Sequence, residues 1–257
     1  MKPHETISAA IRRARDAGFP ALMPYMTAGF PRRESFRTTL LAIASVADVI
    51  EVGVPFTDPM ADGTTIQRSS RVALEQGVTL KWILSELAEM RGTLKVPVLL
   101  MTYLNPLMSF GFEKLAKASA QAGVAGFIVP DLPYEESAEL REQLEAEGLG
   151  LVQMVSPVTP PERVKMLCEA SRGFVYAVTM TGTTGRNIEV LGQVLEYMDR
   201  VRASSPVPVC AGFGIRSHSQ VAQMAAHVDG VAIGAALVEV LERGEDPAAF
   251  LRTLRGR

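Results

Sequence analysis

The 257-residue sequence has only two cysteines, Cys168 and Cys210, three histidines, and one tryptophan. Two cysteines far apart in apolar surroundings make neither a disulfide framework nor a Cys-x-x-Cys metal pair, so they read as buried thiols in a reducing compartment. His4, His218 and His227 are scattered, which argues against the histidine cluster that a metal-dependent aldolase usually needs. Charge of one sign is also missing: 26 basic residues face 28 acidic ones, for a net charge of −2. Such a balance gives no general attraction to nucleic acid or to an anionic membrane, so an anionic ligand has to be held by a local site. No apolar run approaches the roughly 20 residues of a membrane span, and the amino terminus has no signal-like apolar core. A cytoplasmic protein is expected.

What is present is a repeated theme of a short apolar run, a turn, and an amphipathic segment. The predicted strands are 21–27, 47–53, 96–103, 124–130, 150–156, 173–179, 207–211 and 230–234. They are mostly continuous apolar runs, as parallel strands covered on both faces require. Helical patterns are read at 31–46, opening on Pro31, at 134–147, ending before Gly148, and at 161–170, with Thr159 as N-cap. Two more fall at 188–203 and 217–226. Eight units in one uninterrupted chain predict an α/β fold, a single (β/α)8 TIM barrel over residues 1–257 with an extra amino-terminal helix over 3–17. A doubly wound open sheet is the competing architecture, because the same alternation serves both.

In a barrel, chemistry sits at the carboxyl ends of the strands. The segment IEVGVPFTDPMADGTTIQ, residues 50–67, carries three acids. Glu51 lies inside an apolar strand, and Asp58 and Asp62 follow in a Pro/Gly-rich loop. A lone Glu51 reads as a rim carboxylate paired with an arginine. The three together read as a cluster whose mutual repulsion raises a pKa for acid–base work. None of the six lysines (Lys2, Lys81, Lys95, Lys114, Lys117, Lys165) falls at an active strand end, which argues against Schiff-base chemistry. Glycine-rich stretches after strands six, seven and eight (TGTTGRN, AGFGI, GVAIGAAL) match a barrel phosphate site, although each alone is also an ordinary tight turn. Tyr103 and Tyr176 near strand ends, with Tyr25, Met101, Ile128 and Phe213, read either as core or as the wall of an apolar pocket for a flat aromatic ligand.

The segment EVGVPFTDPMADGTTIQ resembles the alpha subunit of tryptophan synthase. PYMTAGFP, LLMTYLNPLMSFG, VPDLPYEES, VSPVTPPER, TGTTG and AGFGI follow in that family's order, so the resemblance spans essentially the whole chain. It implies cleavage of indole-3-glycerol phosphate to indole and glyceraldehyde 3-phosphate. Glu51 would act as general acid and base, Asp62 would accept the indole N–H, and Tyr176 would stand beside Glu51. Thr184, Gly185, Gly214, Gly234 and Ala235 would cradle the phosphate. The resemblance also implies an αββα complex with a beta subunit that alone carries pyridoxal phosphate, with Pro55 and Asp58 near the partner-facing loop and no cofactor in this chain. Thr64 stands where the family commonly has proline, Phe30 where an acid is frequent, and Ala235 where a serine is common; Met180 and Thr183 also depart from the usual pattern. These departures keep open a largely inactive barrel that acts as an allosteric partner. Another phosphosugar barrel enzyme, such as an isomerase, is the third reading.

Overall fold

The computed structural model describes residues 1–179, 188–212 and 214–256. Eight parallel strands close into a barrel in which each pairs with the next in sequence and the last with the first. They are β1 (Ala21–Thr27), β2 (Ile50–Gly53), β3 (Val98–Met101), β4 (Val124–Ile128), β5 (Gly150–Val155), β6 (Val175–Val178), β7 (Val209–Gly212) and β8 (Gly230–Ile233). Closure by pairing of Ala21–Pro24 with Gly230–Ile233 decides for the barrel against the open sheet.

The described helices are α1 (Pro3–Asp16), α2 (Phe36–Ala44), α3 (Thr64–Glu75), α4 (Leu80–Glu89), α5 (Leu104–Phe110), α6 (Phe112–Ala122), α7 (Ala138–Ala146), α8 (Pro161–Ala170), α9 (Ile188–Ser204), α10 (His218–Met224), α11 (Ala235–Glu242) and α12 (Pro247–Arg255). The predicted strands are all present: β1 keeps its bounds, β7 starts later and ends one residue later, at Gly212, and the other six are shortened, because ladder pairing covers less than the apolar run. Helix starts differ from the sequence reading: the helix read from 134 begins only at Ala138, after a 3-10 turn at Tyr134–Glu136. Pro31 does not open a helix: its carbonyl accepts from the Gln76 side chain, and a 3-10 turn at Arg33–Ser35 precedes α2. Thr159 does not cap α8, whose N-cap is Pro160; the Thr159 hydroxyl instead accepts from the Ser156 amide at 3.0 Å. Gly148 does end its helix, with φ of 71° and the Leu149 amide bonded back to the Leu144 carbonyl at 2.8 Å.

Apolar burial is organised in two shells. The larger lies between strands and helices, built from residues such as Leu22, Ile50, Leu100, Phe127 and Ile233. The smaller fills the barrel interior with Met23, Leu99, Val152, Phe174 and Cys210, and α1 closes its lower end with Ile7, Ala10, Ile11 and Ala14. Hence the extra helix is a plug. Its Ser8 hydroxyl donates to the Gly173 carbonyl at 2.5 Å.

Acids at the amino-terminal face serve this frame. Asp229 accepts the Val209 amide at 2.8 Å and pairs with Arg15 at 2.7 Å, while Asp48 accepts the Leu22 amide at 2.8 Å and pairs with Arg255. Each joins neighbouring strands where the ladder begins, so their carboxylates are structural. At the opposite face Asp131 does the same for the Leu104 amide at 2.9 Å, whereas no backbone amide is bonded to the carboxylate of Glu51 or Asp62 among the described residues.

Candidate active site

Glu51 is the second residue of β2 and pairs in register with Tyr25 on β1 and Leu99 on β3. Pairing at the same level of adjacent parallel strands turns all three side chains to one face, the barrel interior. Glu51 is 1% exposed, and among the described residues its Oε1 has no hydrogen-bond partner. No described arginine pairs with it, so the ion-pair reading finds no support there. Burial alone pushes its carboxyl up to about 8, because an unpaired charge loses its hydration there.

Asp62 sits on the loop between β2 and α3, one residue before the Gly63 N-cap of α3. It is half-buried, and desolvation lifts its carboxyl to about 6 while the nearby Tyr103 hydroxyl pulls the other way. Tyr103 organises this loop: its ring stacks on Phe56 at 5.2 Å between centroids, and its oxygen accepts the Ala61 amide at 3.0 Å. The Gln67 side chain donates to the Asp62 carbonyl at 2.8 Å. Asp58 does not join the other two acids. It is exposed and bonded to Thr57 at 2.5 Å, so the expected three-acid cluster is a pair. Desolvation rather than mutual repulsion moves that pair. Pro55, expected near the partner-facing surface, is buried, and it shapes the loop from within.

Two tyrosines lean over the interior. The nearest heavy atom to a β-carbon placed on Gly53 would be the Tyr25 oxygen, at 2.0 Å. A β-carbon on Gly212 would stand 2.4 Å from the Tyr176 ring and oxygen. Each tyrosine thus occupies the volume of the missing side chain on the following strand, Tyr25 over β2 and Tyr176 over β7. Burial raises both hydroxyls, with Glu51 and Asp62 adding to the rise in each, so both tyrosines lie within electrostatic reach of the two carboxyls. Ile128 is fully buried, Met101 partly so, and both line the apolar interior near Glu51.

Gly53 and Gly212 were not among the residues picked out by the sequence. The usable signal was a glycine two residues beyond a functional level on the strand after a tyrosine-bearing one. Converting Gly53 to alanine is expected to displace Tyr25, at about 1–3 kcal/mol of stability, and to lower kcat/KM at least tenfold. Thermal melts with steady-state rates check this; an unchanged kcat/KM would show that the position of Tyr25 is immaterial.

At the later loops, Gly234 is the N-cap of α11, and the amides of Leu237 and Val238 already bond to its carbonyl at 3.0 and 3.2 Å. The amides of residues 235 and 236 belong to the first turn, which has no helical acceptors, so they are available to an anion. Gly214 takes φ of 37°, in the left-handed region. Thr184, Gly185 and Phe213, with Met180 and Thr183, lie outside the described residues. Thr64 is simply the first residue of α3, and Phe30 is buried at 3% exposure.

Residues 11–254 match the family model described as tryptophan synthase alpha chain. The chain belongs to that family. It is similar to the tryptophan synthase alpha chain of Desulfovibrio desulfuricans, with 45% identity over 94% of this chain and 96% of that one. The tryptophan synthase alpha chain of Chloroflexus aurantiacus is 41% identical over 96% of each. Among solved structures, tryptophan synthase from M. tuberculosis in its aminoacrylate-bound form superposes with a TM-score of 0.88 at 33% identity over 97% of each chain. The tryptophan synthase alpha subunit of Legionella pneumophila gives 0.88 at 30% identity over the full length of both. The apolar barrel mouth of this chain brings together two desolvated carboxyls and a helix amino terminus.

Proposed function

We propose that Glu51 and Asp62 divide the proton chemistry of the reaction between them, Glu51 as the acid and Asp62 as the anion. The reaction is that of the family, a carbon–carbon lyase step of tryptophan biosynthesis in which indole-3-glycerol phosphate is cleaved to indole and glyceraldehyde 3-phosphate. The observation that carries the division is the separation of the two carboxyls, one near 8 and one near 6. At neutral pH Glu51 keeps its proton while Asp62 has lost its own. Two carboxyls with values pushed apart are an acid and a base already assigned.

Glu51 gives its proton to C3 of the indole, and the ring nitrogen takes up the positive charge. The Asp62 carboxylate accepts the ring N–H and stabilises that charge, an interaction stronger at this point than in the bound substrate. The C3–glycerol bond then breaks, its electron pair restoring the aromatic ring. The glycerol hydroxyl returns a proton to Glu51 as the aldehyde forms. Protons balance on the two carboxyls, so this reading assigns the chain no cofactor.

Tyr25, Tyr103, Met101 and Ile128 make the apolar wall for the indole, and Tyr176 shields Glu51 from water. The phosphate sits on the amides at the start of α11, together with Gly214. Ala235 offers no hydroxyl, which leaves the backbone to hold the anion.

The partner is a beta subunit, as in the solved tryptophan synthases. We place it at the carboxyl end of the barrel, in an αββα assembly with pyridoxal phosphate confined to the beta chains. Among the described residues, Met60 at 87%, Met108 at 61% and Val158 at 74% stand exposed close after the carboxyl ends of β2, β3 and β5. Asp58 shares the loop of Met60. Apolar exposure on the face that carries the site fits a covered surface. No described helix is long and apolar enough to cross a membrane, and the reading places the protein in the cytoplasm.

The test is to supply indole-3-glycerol phosphate to the chain, alone and with a matched beta subunit, and to follow indole between pH 5 and 10. Activity is expected to rise as Asp62 ionises near pH 6 and to fall as Glu51 loses its proton near pH 8. A rate that keeps rising beyond pH 9 would contradict the assignment of Glu51 as the acid.

A further inference from the structure

A run of buried hydroxyls leads away from Tyr25. Its oxygen lies 3.2 Å from Thr27 Oγ1, which lies 2.6 Å from Ser69 Oγ on α3. Ser69 Oγ is 2.8 Å from the Ile66 carbonyl. Thr27 and Ser69 are both fully buried.

With the Ser69 hydroxyl donating to the Ile66 carbonyl, one direction follows for the whole run. A carbonyl only accepts, so the single Ser69 proton is spent on Ile66. Thr27 must then donate to Ser69, and Tyr25 to Thr27. The Tyr25 proton therefore points along β1 toward α3, away from the site. Its lone pairs face the space over Gly53, just above Glu51 in the barrel.

We propose that Thr27 and Ser69 are positioning residues for the lyase reaction, whose hydroxyls hold the Tyr25 proton away from the site so that Tyr25 turns lone pairs, not a proton, toward the space above Glu51 and toward the substrate. The inference rests on Glu51 acting as the proton donor. An oxygen that offers lone pairs favours a neutral, proton-bearing neighbour and disfavours a carboxylate. A Tyr25 hydroxyl turned the other way would stabilise the Glu51 anion and make it a poorer acid. The same run also fixes the start of α3, and with it Asp62, against β1. It thereby sets the Tyr25 side of the pocket relative to both carboxyls.

The groups that face Glu51 are Tyr25 on β1, Tyr176 on β6, Cys210 on β7 and Asp62 on the β2–α3 loop, with Leu99 of β3 apolar. Tyr25, Tyr176 and Cys210 are all raised by burial and stay protonated across the working range. Among the described groups only Asp62 and Glu51 titrate there, so the alkaline limb of the rate profile is assigned to Glu51.

The experiment compares the pH dependence of kcat for the full chain with Thr27→Val, Ser69→Ala, Tyr25→Phe and the Tyr25→Phe/Thr27→Val double variant. Thr27→Val removes the acceptor and Ser69→Ala lets the run reverse, so in either the Tyr25 proton is free to turn inward. Each is expected to move the alkaline limb down by about 0.5–1 pH unit, with KM changed less than kcat. In the Tyr25→Phe background, Thr27→Val is expected to leave the limb where it was. If Thr27→Val fails to fold, Ser69→Ala carries the same comparison.

An unmoved limb in a folded Thr27→Val or Ser69→Ala would overturn the proposal, as would an equal shift with and without the Tyr25 hydroxyl. Neither of those results touches the role of Glu51. That role fails separately, if the parent shows no alkaline limb or if Glu51→Gln keeps its activity.

Discussion

Replacing Glu51 by glutamine is expected to lower indole release by about 10²–10⁴-fold, the range associated with a positioned general acid, while making the protein more stable above pH 7. The two effects have one cause. The barrel interior offers Glu51 Oε1 no partner, so the folded protein favours the neutral carboxyl. The folded value near 8 lies above the ordinary 4.5. Between those values the native state holds a proton that the unfolded chain has released. Stability therefore falls as pH rises from about 4.5 to 8, by an amount on the order of several kcal/mol for a fully buried group. Glutamine fills the same volume without a charge and escapes the loss. Thermal melts of both proteins at pH 5 and pH 9, read beside their rates, check this. The melting curves should lie close together at pH 5 and separate at pH 9 with the variant higher. A variant less stable at pH 9 would mean that Glu51 has a native partner after all.

The second large effect is expected at Asp62. An amide in place of the carboxylate removes the anion that stabilises charge on the indole ring, and a loss of about 10²–10³-fold in kcat matches the removal of one preorganised electrostatic group. The fold should be unaffected, because the Asp62 backbone, rather than its carboxylate, holds the loop together. Its carbonyl accepts from Gln67, and its amide donates to the Pro59 carbonyl at 3.1 Å. The acid limb of the rate profile near pH 6 should vanish with the carboxylate, while the alkaline limb remains. Steady-state kinetics of Asp62→Asn against pH, beside its melting temperature, measure both. Retention of the acid limb would transfer that limb to another group and take Asp62 out of the mechanism.

The sequence disclosed the architecture because its apolar runs are continuous and their number is right, and parallel barrel strands need no other pattern. It disclosed Glu51 because an acid inside such a run is conspicuous. It misjudged Asp58, since three acids within one loop say nothing about which of them turn inward. The loop's direction depends on Phe56 stacking against Tyr103, a contact between separate units. Helix α3 went unread for a related reason. Its early residues Thr64, Thr65, Gln67 and Arg68 are polar, and its buried face is made of Ser69, Ser70 and Ala73, with no large apolar stripe. Those serines are what the Tyr25 run requires. Register between strands was likewise invisible, so Gly53 read only as the end of a strand and Gly212 as part of a glycine-rich turn, when each makes room for a tyrosine two strand positions lower on its neighbour.

In the proposed mechanism buried Glu51 is protonated at neutral pH beside an ionised Asp62. Carbon-13 NMR of carboxyl-labelled protein, with Glu51→Gln and Asp62→Asn used for assignment, reads both titrations directly. Glu51 should change ionisation near pH 8 and Asp62 near pH 6. A Glu51 signal already ionised at pH 5 would contradict the account.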